Sequence, residues 1–135
     1  MTDDNRPIAL VLDTSAIAAF VAGSMHVHEP ILLADEAGEA VAVPVACLVA
    51  AVRRDPGIDL TELMHHPQVV IVSPDRSDDD LLLDWTLYYD GREDLAAAAV
   101  LSYRQGRCVV LTDEPDAYMI SGRRPRWVVP IDGSW

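Results

Sequence analysis

The sequence predicts one α/β domain, three layers thick, with a mainly parallel twisted sheet flanked by helices, and three observations carry that expectation. The apolar runs "IALVL" and "CVVL" have no polar alternation, the pattern of strands covered on both faces. Between such runs lie longer stretches whose apolar residues recur at helical spacing, the alternation that crossover connections require. The length of 135 residues suits a single core that buries roughly two-thirds of the unfolded chain's surface. One domain over residues 1–135 is therefore expected, with residues 1–6 and 132–135 as loose tails.

Each element can be justified in turn. Ile8 to Leu12 reads as a buried strand that ends at Asp13, after which Ala16, Ile17, Ala19 and Phe20 take up a helical period. "HEPILLADEAGEA" reads as a second helix closing at Gly38, and "VAVP" as a short strand. "PVACLVAAVRR" reads as a helix with Pro44 in its first turn, where a missing N–H is harmless. "DLTELMHH" supplies another helical turn or two, and "QVVIVSP" is rich in β-formers. "SDDDLLLDWTLYYDG" opens on a Ser-Asp cap signal and sets Leu82, Trp85 and Tyr89 on one face. The Ala-rich "REDLAAAAVLSYRQG" ends at Gly106, "RCVVLTDEPDAY" is a strand that breaks into an acidic turn, and "RWVVPID" is a last short strand. No internal repeat or low-complexity linker interrupts this order.

Charge limits the function classes. The formal net charge is −12, so a phosphate backbone is repelled unless a local basic patch or a bound cation meets it. The basic residues are all arginine. Arg53 and Arg54 end one helix, while Arg123, Arg124 and Arg126 crowd one loop and make the best candidate phosphate grip; Arg104 and Arg107 stand alone. No apolar run approaches membrane-spanning length. Cys47 and Cys108 are far apart in apolar runs with no secretory leader before them, so reduced thiols in a cytoplasmic protein are expected. His26 with His28, and His65 with His66, have no third ligand at zinc-site spacing and read as loop histidines. Trp85 and Tyr89 read as core or dimer-seam residues in preference to a base-stacking platform.

Acidic residues recur at strand and helix ends. Asp13 follows the first strand, where a carboxylate either caps the next helix or marks a ligand site at the carboxyl edge of an open sheet. Asp94 opens the Ala-rich helix, as a dipole partner or as a site residue. Asp113 and Glu114 follow "CVVLT" directly, as an ordinary turn or as a second acidic cluster beside the first. If the two strands are parallel neighbours, the clusters meet. Several carboxylates at such range call for a cation, and Mg²⁺ or Mn²⁺ with oxygen ligands is the usual one.

Four stretches in series, "VLDTSAIAAF", "VAVPVACLVAAV", "DLAAAAVLSYRQG" and "CVVLTDEPDAY", resemble a PIN domain of the kind found in VapC-type toxins, from about Ile8 to Ile131. The resemblance implies a metal-dependent endoribonuclease whose acidic cluster binds Mg²⁺ or Mn²⁺ and activates water against an RNA phosphodiester. It also implies a homodimer and a small antitoxin partner. Carried over residue by residue, the catalytic and metal-binding positions fall on Asp13, Asp94 and one or both of Asp113 and Glu114. Ser15 and Thr112 fall on the hydroxyl positions beside them, and with Arg123, Arg124 and Arg126 would contact RNA.

Two departures weaken the implied activity. Glu114 stands where the pattern has aspartate, and a methylene shifts its oxygens by about one bond length where catalysis tolerates errors of roughly half an ångström. Ala50 stands where the pattern has glutamate, removing one carboxylate of four. Two-metal chemistry then lacks ligands. A Gly-rich phosphate turn is excluded by the Asp-Thr-Ser after Leu12, a phospho-acceptor receiver by the lack of lysine, and an aspartyl phosphohydrolase by Ser15. The remaining rival is a catalytically degenerate PIN-like module that binds a protein partner or RNA without cleaving. RNA binding is expected to be weak and salt-dependent.

Overall fold

A computed structural model describes residues 5–106 and 108–132 of the chain. Arg107 and the outer parts of both expected tails lie outside these residues. Within them, Arg6 is tied down, its guanidinium donating to the Pro67 carbonyl at 3.0 Å.

Five strands form one all-parallel sheet: β1 (Ile8–Leu12), β2 (Ala40–Pro44), β3 (Val69–Val72), β4 (Val109–Thr112) and β5 (Val128–Pro130), in the order β3-β2-β1-β4-β5. Six α-helices flank it among the described residues: α1 (Thr14–Val21), α2 (Met25–Glu36), α3 (Val45–Arg54), α4 (Thr61–Met64), α5 (Asp79–Tyr88) and α6 (Glu93–Gln105). The result is the expected three-layer α/β fold. The central strand β1 pairs with β2 on one side and β4 on the other, with Leu12 opposite Leu111. Asp13 and Thr112 therefore leave the sheet side by side, at the point where strand order changes direction and open α/β sheets leave a crevice.

The strand sequences explain their placement. Every residue of β2 is buried, as a central strand of unbroken apolar residues requires, whereas the edge strand β3 leaves Ile71 exposed. α6 lies along β1, β2 and β4, and its alanines let it approach closely: Ala96, Ala98 and Ala99 are buried there. α3 packs against α1 and α6, and α1 against α2 and α4. No single helix among the described residues is long and apolar enough to cross a membrane.

Three local details differ from the sequence reading. Pro44 closes β2 and sits at the N-cap of α3, one residue before the helical turn expected to contain it; its φ of −64° suits either place. α2 begins at Met25, so His26 and His28 lie on a helix and not in a loop, and Pro30 falls inside that helix. His28 is half-buried and stacks on Phe20 with ring centroids 4.3 Å apart. The third concerns α5, which has apolar residues but none that is fully buried. It is held on α6 and by contacts at its ends: Arg104 of α6 pairs with Asp78 at its N-cap, Trp85 meets Trp127 edge-on at 6.3 Å, and Tyr89 at its C-cap is buried and meets Tyr118 edge-on at 5.8 Å, while Tyr88 is exposed.

Between α5 and α6 the chain reverses through Asp90 and Gly91, with φ of 56° and 86°. This left-handed pair sets the approach of Arg92 and Asp94 to the sheet. Open space surrounds a Cβ added at Gly91, so Gly91→Ala is opposed by backbone strain alone. Equilibrium urea unfolding of that variant is expected to show a loss of about 1 kcal/mol with an unchanged m-value.

Candidate functional site

Asp13 is 1% exposed and occupies the N-cap of α1. One carboxylate oxygen accepts from the Ala16 N–H at 2.9 Å and the Ser15 hydroxyl at 2.7 Å, and the other from the Tyr118 hydroxyl at 2.8 Å. No basic side chain pairs with it among the described residues. Burial pushes its carboxyl above the ordinary aspartate value, and the hydrogen bonds from Thr112, Ala16, Ser15 and Tyr118 offset that only in part. Asp13 thus caps α1 and stands at the carboxyl edge of the sheet.

Asp94 has the opposite balance. It lies in the first turn of α6, 6% exposed, and burial alone would push its carboxyl up. Arg92 reverses this with a two-pronged grip, Nε to one oxygen and Nη2 to the other, both at 3.0 Å. The Thr14 hydroxyl donates to the second oxygen at 2.6 Å, and the net result is a carboxyl below its ordinary value. Thr14 precedes Ser15 in α1, so adjacent residues reach the two buried aspartates.

Ser15 and Thr112 shape the acidic turn after β4. The Ser15 hydroxyl accepts from the Asp113 N–H at 2.8 Å, the Thr112 hydroxyl accepts from the Glu114 N–H at 2.9 Å, and the two hydroxyls lie 3.2 Å apart. Asp113 is exposed, and only its backbone joins this network. Glu114 turns toward the arginines: its Oε2 is 3.5 Å from Arg54 Nη1 and 3.5 Å from Arg92 Nη2, without the geometry of a hydrogen bond to either. Arg54 also reaches to 3.9 Å from Asp94. Of the carboxylates that the sequence suggests, Asp94 and Glu114 are bridged by two guanidiniums, Asp13 joins through Ser15 and Thr112, and the Asp113 side chain stands outside.

Ala50 lines a cavity of about 350 Å³ with Arg53, Arg54, Gly91, Arg92 and Asp94. It therefore faces the arginines and Asp94. Arg124 and Arg126 line a different cavity, with Asp116, Met119 and Val128, that shares no residue with the first. Arg123 is held by paired backbone hydrogen bonds to Ile120.

A divalent cation does not fit the donors as they stand. Both oxygens of Asp94 are engaged by Arg92 and Thr14, those of Asp13 accept from Ser15, Ala16 and Tyr118, and Glu114 faces two guanidiniums. Among the described residues, no group of three or more His, Cys, Asp or Glu is arranged to hold a metal ion. Cys47 is no alternative ligand, since burial and the charges of Asp13 and Asp94 push its thiol far up, toward the unreactive neutral form.

Three contributors escape the sequence reading, the first being Thr14, whose hydroxyl reaches Asp94 across the fold. Arg92 precedes the helix and reads as an ordinary loop charge; its only signal is the Arg-x-Asp spacing. Tyr118 lies in a 3-10 turn (Pro115–Tyr118), fully buried, and its signal is an aromatic shortly after an acidic turn. No protein-family model and no curated protein matches this chain.

The two aspartates respond oppositely to pH. Asp94 has a folded value below 3.8, so it stabilises the fold above that pH and loses this contribution as pH falls through the depressed value. Asp13 has a folded value above 3.8, so its ionisation opposes folding at neutral pH and that cost disappears as pH falls toward 3.8. Asp13→Asn keeps a capping oxygen and removes the charge. Thermal melts should give this variant a higher Tm than the parent near pH 7, with the gain vanishing near pH 3.5. Asp13→Ala also loses the cap and should be less stable by about 1 kcal/mol at the low end of that range.

Proposed function

We propose that this chain is a PIN-like module that binds a protein partner and does not cleave RNA. The observation that carries the reading is the pair of guanidiniums, Arg54 and Arg92, set against Asp94 and Glu114 where the PIN resemblance implies Mg²⁺ or Mn²⁺. A fixed internal cation does two things. It supplies positive charge to the carboxylates without a metal, and it stands where a hydrated ion would present an activated water. Ala50 acts in the same direction, since it offers no oxygen toward that space.

A protein partner is favoured over RNA on electrostatic grounds. The chain carries a net charge of −12, and Arg54, Arg92 and Arg104 are engaged in internal ion pairs. The overall field of so acidic a chain repels a phosphate backbone. The partner is of the antitoxin kind or another protein, and a second copy of the chain is the homodimer alternative. The metal-dependent endoribonuclease stays as the second reading, favoured by Asp13, Asp94 and Glu114 standing at one edge of the sheet.

Two measurements separate the readings. Incubation with single-stranded RNA and Mn²⁺ should give the wild type no more cleavage than an Asp13→Ala control; cleavage that depends on Asp13 would establish the nuclease instead. Ala50→Glu places a carboxylate one helical turn before Arg54 and beside Arg92. It is expected to stabilise by about 0.2–0.5 kcal/mol in EDTA, with no further gain from Mn²⁺. A Tm that falls in EDTA and recovers only with Mn²⁺ would point to a metal site.

A further inference from the structure

We propose that Arg54 and Arg92 form a binding site for a terminal phosphate group, held shut in the free protein by the carboxylate of Glu114. The inference rests on the non-cleaving reading above, in which these arginines and not a metal supply the positive charge at the sheet edge.

Glu114 already occupies the place of an anionic ligand. Two guanidiniums on separate elements, one at the end of α3 and one before α6, lie at the same 3.5 Å from a single oxygen. That oxygen is buried and accepts no hydrogen bond, a costly condition for a carboxylate. Glu114 thus fills the site as a charge without fitting it. A phosphate group has three terminal oxygens directed tetrahedrally, so it can give each guanidinium an oxygen of its own, where Glu114 offers one oxygen to both.

The surroundings permit exchange. The side chains of Glu114, Arg54 and Arg92 are 38%, 42% and 36% exposed, so Glu114 can swing into water while the arginines keep their anchors. Beside them lies the cavity of about 350 Å³, kept open by the small side chain of Ala50 and the absent one of Gly91, with Arg53 on its wall. With Glu114 displaced, three guanidiniums face two carboxylates there, those of Asp94 and Glu93. The site is then net positive within an acidic protein.

Charge selects the ligand class. Glu114 is tethered and competes at an effective concentration in the millimolar range or above. A phosphodiester carries one negative charge, no more than the carboxylate it must displace. A phosphomonoester carries about −1.5 to −2 near neutral pH and has the advantage. The ligand is accordingly a phosphomonoester or free phosphate, and internal linkages of a nucleic-acid backbone are disfavoured.

Isothermal titration in EDTA at constant ionic strength tests this, with inorganic phosphate, adenosine 5′-monophosphate and adenosine as probes. Glu114→Gln removes the internal competitor's charge and should bind phosphate about tenfold more tightly than the wild type. Adding Arg54→Gln to that variant should abolish the gain, with thermal melts confirming that each protein is folded. Equal affinity for phosphate and the monophosphate assigns the free anion as sufficient; tighter binding of the monophosphate assigns a nucleotide source. Unchanged affinity in Glu114→Gln, full retention without Arg54, or equal binding of adenosine would each overturn the site. EDTA separates this from the cleavage assay: loss of the anion site leaves the non-cleaving reading intact, and Mn²⁺-dependent cleavage by the wild type leaves a positive titration standing.

Discussion

A buried carboxylate without a counter-charge organises this fold. Asp13 ends the central strand and begins the first helix, so wherever its oxygens are satisfied the chain must come to meet them. The free N–H groups of α1 supply one partner, Ser15 another and Tyr118 a third. Tyr118 belongs to the segment after β4, and Ser15 also receives the Asp113 N–H. One side chain therefore fastens the ends of both central strands to the segments that follow them. Replacing any one donor leaves a buried carboxyl oxygen with fewer bonds, a larger cost than the loss of an ordinary surface contact.

The second aspartate shows how the same sheet edge tolerates more charge. Asp94 is buried like Asp13, and its charge is met within the chain: Arg92 clasps it with both prongs while Arg54 approaches from α3. The compensation belongs to the chain and does not depend on an ion taken from solution.

Much of this was legible in the sequence, for identifiable reasons. β1, β2 and β4 are unbroken apolar runs, and a doubly covered strand has no other pattern, so the parallel sheet followed. The positions of Asp13 and Asp94 at element ends were equally plain, because a change of period marks the boundary whatever the side chain does next. What stayed hidden depends on long side chains reaching across the fold. Nothing local tells that Arg92 bends back onto Asp94, or that Arg54 leaves the α3 terminus for Glu114, since several rotamers of an exposed arginine are nearly equal in energy until its partner is in place. Asp113 and Glu114 were indistinguishable for the same reason. They are adjacent acidic residues after one strand, and only the hydroxyls of Ser15 and Thr112, by fixing the turn, determine which carboxylate faces inward. α2 starts at Met25, three residues before the His28 at which the sequence reading began it, and Pro30 lies inside it.

The thin cover of α5 has a consequence for motion. A helix with no fully buried residue within its span, held on α6 and by contacts at its ends, opens at a free energy below that of the β1-β2-β4 core. Its C-terminal end continues through Asp90 and Gly91 directly into Arg92. Partial opening of α5 thus loosens the backbone that aims a guanidinium at the sheet edge, while Arg54, anchored on the well-packed α3, stays where it is. The two clamps on the acidic crevice belong to regions of unequal rigidity, and the crevice is hinged on one side only.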